Sequence, residues 1–287
     1  MLTPPRKASR ARVAIVAAFV TVLAIGYSEL FFLLVALALF GGLMATYEYH
    51  RMSRAKGIES SLLVGIVGST ALILAGLSDS ETFIRALPGI LAVLVIAAFL
   101  TQMIARASDD AFRAVSVTAF GPIYVALPLA LGFQLMKPER LVVLFVILMV
   151  WATDTGAYYI GCKFGRHKLM PSLSPKKTWE GALGGVAACV LAALAFKRLV
   201  PAVSFSLGWG DVLVLGCLVS IFAELGDLAE SALKRDAGVK DSGSAMRGHG
   251  GALDRLDSLL FAFAVTYVYL LATGHLGLPA PETLPYQ

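Results

Sequence analysis

The chain has 287 residues, 58% of them hydrophobic and 15% charged, with a formal net charge of +5. Its mean hydropathy of +0.78 excludes an ordinary water-soluble domain. The basic excess excludes nucleic-acid binding as well, because no separate soluble unit is there to present it.

Apolar runs near or above the ~17 residues needed to cross a bilayer recur along the chain. Nine are read, at roughly 12–27, 30–48, 60–77, 86–105, 114–135, 141–162, 180–197, 211–233 and 256–274. The first follows Arg6, Lys7, Arg10 and Arg12 like a signal peptide, but it has no small-residue cleavage site and a second span follows at once. The fold class expected is therefore all-α, a polytopic membrane protein with nine transmembrane helices and no separate soluble domain. With the N-terminus in the cytoplasm, alternate loops place 19 of the 24 Lys and Arg residues inside, as the positive-inside rule requires. The C-terminal tail, without Lys or Arg, then lies outside.

Residues 1–140 read as a membrane scaffold, with Glu29 and Glu48 at span ends and Asp79 and Glu81 in a short outer loop. Residues 141–287 read as the catalytic region, because ionisable residues enter its apolar spans and two long loops follow them. Cys162, Cys189 and Cys217 stand in apolar stretches without ligand spacing and read as packing residues. P-loop, GxGxxG, HExxH and GxSxG patterns are absent, and so is Asn, which removes any glycosylation acceptor. No internal repeat of the kind found in many transporters is visible.

Three constellations carry chemistry. Asp154 lies within an apolar span, followed by Thr155 and Gly156, a small face that lets a helix or ligand come close. Lys176, Lys177 and Thr178 follow Pro175 at a predicted helix start, where free N–H groups and the helix dipole suit a phosphate. Glu224, Asp227, Glu230, Ser231 and Lys234 cluster on the helix read at 211–233 and its end, where spacings of three and four put Glu224, Asp227, Ser231 and Lys234 on one face. Asp254 and Asp257 open the next helix. Packed side by side, these two helices bring Asp227, Asp254 and Asp257 together. Converging carboxylates repel unless a cation holds them, and Mg²⁺ takes such oxygen ligands alongside substrate phosphates. A salt-bridge network with Lys234, Arg235 and Arg255 is the competing reading. The intervening loop adds Lys240, Asp241, His249, Gly250 and Gly251. Its glycines let backbone approach a ligand.

The run Ser231-x-x-Lys234-Arg235-x4-Lys240-Asp241-x-Gly243-x5-His249-Gly250-Gly251-x-x-Asp254-Arg255-x-Asp257 resembles the signature of the phosphatidate cytidylyltransferase (CDP-diacylglycerol synthase) family. Ser174-Pro175-x-Lys177-Thr178-Trp179-Glu180-Gly181 and Asp154-Thr155-Gly156-Ala157-Tyr158 are similar to two further stretches of that family. One departure stands out: Met246 and Arg247 occupy positions where the family has an aliphatic residue and then Pro or Gly. The resemblance implies a reaction of CTP with phosphatidic acid giving CDP-diacylglycerol and pyrophosphate, with Mg²⁺, K⁺ beside it, and a homodimer. It places the active site on the cytoplasmic side of the inner (plasma) membrane. The catalytic candidates are Asp227, Lys234, Asp254 and Asp257, and the metal ligands Asp227, Asp254 and Asp257. The substrate-binding candidates are Lys176, Lys177, Thr178, Ser231, Arg235, Lys240, Asp241, His249, Gly250, Gly251 and Arg255. Two other classes compete, a CTP-dependent lipid-alcohol kinase and a membrane transporter. The first differs in its products, and the second calls for charge on both sides of the membrane.

Overall fold

A computed structural model describes residues 30–105, 110–200, 207–243 and 250–276. Among them are eight helices, which we number α1 (Phe31–Ala55), α2 (Leu62–Leu77), α3 (Ser80–Ala105), α4 (Ala111–Leu135), α5 (Leu141–Phe164), α6 (Trp179–Leu199), α7 (Trp209–Asp236) and α8 (Leu253–Ala272). A hairpin of β1 (Lys168–Met170) and β2 (Ser174–Thr178) joins α5 to α6. Seven of the helices are long and apolar enough to cross a membrane. The shorter α2, with 16 residues, spans about 24 Å at 1.5 Å per residue. The protein is a helical, multi-pass membrane protein, as its sequence pattern requires. The expected span at 12–27 lies outside the described residues.

Three boundaries differ from the sequence reading, each for a local reason. Helix α1 runs on to Ala55 instead of ending near 48, because Arg51 and Lys56 find acceptors on distant segments. Helix α3 starts at Ser80, not 86, because Asp79 Oδ1 accepts the Thr82 N–H at 2.9 Å and caps its first turn. Glu81 therefore sits in the helix, paired with Arg85, instead of in a loop. The segment read as a loop before α6 forms the hairpin, with Lys168 opposite Thr178 and Met170 opposite Ser174. Pro175 is tolerated there because both strands are edges. The Glu180 carboxylate docks the hairpin on α6, accepting the N–H groups of Arg166 (3.1 Å) and His167 (3.2 Å) and meeting His167 Nδ1 at 2.5 Å.

Small residues set the tightest packing. A Cβ on Gly156 of α5 would strike Ala188 and the Gly184 carbonyl of α6, the close approach expected of small faces in a bilayer. Across α1 and α2, the hydroxyls of Thr46 and Ser69 bond at 2.8 Å. Helix α4 packs on both α2 and α8 and so joins the two halves of the chain. One buried apolar cluster runs through α1, α2 and α4–α8, with Cys189 inside it. Cys162, Cys189 and Cys217 are all free thiols.

Three basic segments meet at one end of the bundle. Lys56 pairs with Asp236 at 2.5 Å. Arg51 donates to the Ser242 carbonyl at 2.7 Å, and Arg235 to the Leu173 carbonyl at 3.3 Å. The end of α1, the hairpin and the loop after α7 therefore share one side of the molecule.

Candidate active site

The site begins where α7 and α8 nearly touch. A Cβ on Gly226 would strike the Asp257 carbonyl, so glycine at that position lets the helices close up beside their acids. Asp227, Glu230 and Asp257 each offer an oxygen within 4.8 Å of the others. Glu230 is 0% exposed and Asp257 8%.

Two lysines flank this group. Lys234, one turn beyond Glu230 on α7, pairs with Glu230 and with Asp254 Oδ1, the latter at 2.7 Å. Lys177, at the end of the hairpin, meets Glu224 Oε2 at 2.6 Å and Asp227 Oδ2 at 2.9 Å. Burial alone would pull the Lys177 ammonium towards neutrality. The Asp227 and Glu224 charges outweigh it and hold the pKa above the ordinary lysine value. Five carboxylates (Glu224, Asp227, Glu230, Asp254, Asp257) thus surround two ammonium groups, a formal excess of three negative charges when all are ionised.

The donor set fits a hard cation. Three carboxylate oxygens converge, and Glu230 Oε1 is buried without a protein hydrogen-bond partner. Such an orphan acceptor in a dry setting is costly unless a cation or a donor meets it. The Tyr124 hydroxyl of α4 is also buried and without a protein partner. Its ring lies edge-on to Phe261, one turn along α8 from Asp257, and the hydroxyl is within electrostatic reach of Glu230, Asp257 and Asp227.

Not every residue expected of the site lies in this cluster. Asp254 is outside the three-oxygen group. Its Oδ1 takes Lys234, and its Oδ2 accepts the N–H groups of Gly251 (2.6 Å) and Ser242 (3.2 Å). Glu230 stands beside Asp227 and Asp257 in its place. Thr178 is buried, and its hydroxyl caps α6 by accepting the Gly181 N–H at 3.2 Å, so it is committed locally. Ser231 Oγ lies 3.4 Å from Asp227 Oδ1. Lys176, Arg235, Lys240, Asp241 and Arg255 are exposed. Gly250 adopts a positive φ of 81°, the left-handed conformation that glycine takes without strain. His249 lies outside the described residues. Asp154 is exposed on α5 within electrostatic reach of Asp227, Glu224 and Lys177. One turn away on α5, an apolar groove of about 610 Å³ opens between α5 and α6, lined by Trp151, Thr155, Tyr159, Gly184 and Leu191.

Two buried acids stand outside the ligand set expected from the sequence. Glu230 belongs to the sequence cluster on this helix but not to that ligand set, although it is three residues, nearly one full turn, from Asp227. Glu48 was read as the end of a span. It is 1% exposed and reaches the far loop, accepting Ser242 Oγ at 3.0 Å and the Leu253 N–H at 2.9 Å. Its signal was an acid two turns inside a helix that continues through Arg51 and Arg54.

Comparison with known proteins identifies the family. The profile of the Cytidylyltransferase family matches residues 8–273. A phosphatidate cytidylyltransferase of Staphylococcus epidermidis is 33% identical over 240 residues, covering 83% of this chain and 90% of the relative. One of Bacillus subtilis is 32% identical over 238 residues, covering 80% and 86%. One of Brucella suis is 45% identical over 144 residues, covering 49% and 52%. With a profile that spans most of its length and relatives aligned over four-fifths of it, the chain belongs to the cytidylyltransferase family.

Proposed function

We propose that this protein transfers the cytidylyl group of CTP to phosphatidic acid, giving CDP-diacylglycerol and pyrophosphate. A phosphate oxygen of the lipid attacks the α-phosphorus of CTP, the bond to the β-phosphate breaks, and pyrophosphate leaves. No covalent intermediate on the protein is needed. The demand is for positioning and charge neutralisation between two polyanions. The observation that carries the reading is the buried carboxylate group of Asp227, Glu230 and Asp257, flanked by Lys177 and Lys234 at the mouth of membrane-crossing helices. The names of the relatives support the choice of substrates.

A divalent cation such as Mg²⁺, with K⁺ beside it, would be held by Asp227, Glu230 and Asp257 and would neutralise phosphate charge when bound. The protein's own residues do the remaining work. Lys177 and Lys234 stand beside the carboxylates, ready to take phosphate oxygens as the substrates enter. Arg235, Lys240 and Arg255 form a basic rim that gathers the triphosphate. The apolar groove between α5 and α6 takes the acyl part of the lipid next to Asp154. We place the site on the cytoplasmic side of the cell membrane, where CTP is found, from the bias of the basic loops. We take the working unit to be a homodimer.

Purified protein in lipid nanodiscs tests the reaction. Pyrophosphate release should require CTP, phosphatidic acid and a divalent cation together. Release of pyrophosphate without phosphatidic acid, or none with all three, would refute the proposal.

A further inference from the structure

Glu48 is a carboxylate buried in α1, in the first half of the chain, a costly arrangement unless hydrogen bonds offset it. Its partners lie roughly 200 residues away. Oε2 accepts Ser242 Oγ at 3.0 Å and the Leu253 N–H at 2.9 Å. Ser242 precedes the tip of the α7–α8 loop and Leu253 follows it, so a single oxygen ties the loop's way in to its way out. The fit is close. A Cβ on Gly243 or Gly251 would collide with the Glu48 carboxylate. Arg51, one turn along α1, adds the bond to the Ser242 carbonyl.

The tie leads straight to the charged cluster. The Ser242 and Gly251 N–H groups both donate to Asp254 Oδ2, and Asp254 Oδ1 holds Lys234, which pairs with Glu230. Glu48 and Asp254 therefore close the neck of the loop from two sides.

We propose that Glu48 is a positioning residue for the nucleotide: by cinching the loop neck it fixes Lys240, Asp241 and Gly250 in the arrangement that receives CTP. This rests on the reaction proposed above. The loop offers exposed Lys240 and Asp241, whereas the apolar groove suited to the lipid lies on α5 and α6. Loosening the neck therefore acts on one substrate and spares the other.

The test is steady-state kinetics on the full chain in nanodiscs, with melting temperatures measured alongside. Glu48→Ala should raise the KM for CTP by about tenfold or more, the usual scale for losing a residue that orients a site. The KM for phosphatidic acid should stay within about twofold. Glu48→Gln keeps an acceptor oxygen for Ser242 and Leu253 and should restore most of the CTP affinity. Ser242→Ala, which removes one of the two ties, should give an intermediate KM for CTP and serves as the deciding variant if Glu48→Ala does not fold. An unchanged KM for CTP in both Glu48→Ala and Ser242→Ala overturns the inference. So does an equal rise for both substrates with a lowered melting temperature, which marks a role in folding alone. A wild-type protein that fails to turn over CTP at all refutes the underlying reaction, whereas active wild type with indifferent variants refutes only the role of Glu48.

Discussion

Replacing Glu230 by Gln is the sharpest perturbation of the cluster. The substitution is isosteric and leaves an oxygen to accept from Lys234, yet it reduces the formal excess from three negative charges to two. Two unit charges at 4.8 Å repel by about 3.5 kcal/mol at an effective dielectric constant near 20. Removing the Glu230 charge relieves its repulsion with Asp227 and Asp257 while giving up its attraction to Lys234. Without a divalent cation the variant should therefore melt no lower than the wild type. The loss should appear when the cation is added. At a Mg²⁺ concentration about 100 times Kd, binding stabilises the folded state by about 2.7 kcal/mol, and hundredfold weaker binding leaves only about 0.4 kcal/mol. Thermal melts in EDTA and across a Mg²⁺ titration read this directly. Turnover should require about 10–100 times more Mg²⁺ for its half-maximum. A variant with the wild-type Mg²⁺ midpoint and the wild-type Mg²⁺ stabilisation would show that Glu230 holds no cation.

The same arrangement makes further predictions. Asp227→Asn and Asp257→Asn should nearly abolish turnover, and any residual activity should need more Mg²⁺. Asp254→Asn, outside the three-oxygen group, should lose activity with its Mg²⁺ midpoint kept within about threefold, so that a shift as large as that of Asp227→Asn would return it to the ligand set. Lys177→Ala strands Glu224 and Asp227 and should lower kcat/KM by about 100-fold, or about 2.7 kcal/mol of transition-state stabilisation; wild-type kinetics would reduce Lys177 to an orienting charge. In a variant lacking Cys162, Cys189 and Cys217, a single cysteine at Ser172 of the hairpin should resist an impermeant thiol reagent in intact cells while one at Pro138 reacts. The opposite pattern would invert the topology.

The helix spans were legible because a bilayer imposes a length and a composition that sequence displays openly. The acidic face of α7 was legible for a similar reason, since helical spacing fixes which of Glu224, Asp227, Ser231 and Lys234 are neighbours. Which acid completes the group with Asp227 and Asp257 was not. That depends on how α7 and α8 are rotated about their contact at Gly226, and on Lys234 reaching across to engage Asp254. The contacts of Glu48 were hidden by distance, because its partners lie at the ends of the α7–α8 loop and no local pattern announces them. The hairpin was hidden because Ser174–Thr178 is polar and carries a proline. Its docking on α6 comes from Glu180.

Transfer of the cytidine moiety itself is the most direct measurement. Protein in nanodiscs is incubated with phosphatidic acid, Mg²⁺ and CTP labelled with one isotope in the cytosine ring and another at the γ-phosphate. The account predicts that the ring label enters the lipid fraction and the γ-label leaves as pyrophosphate, in equal amounts, and that Asp257→Asn abolishes both. Appearance of the γ-label in lipid, with the ring label remaining in CDP, would make the protein a lipid kinase and contradict the account.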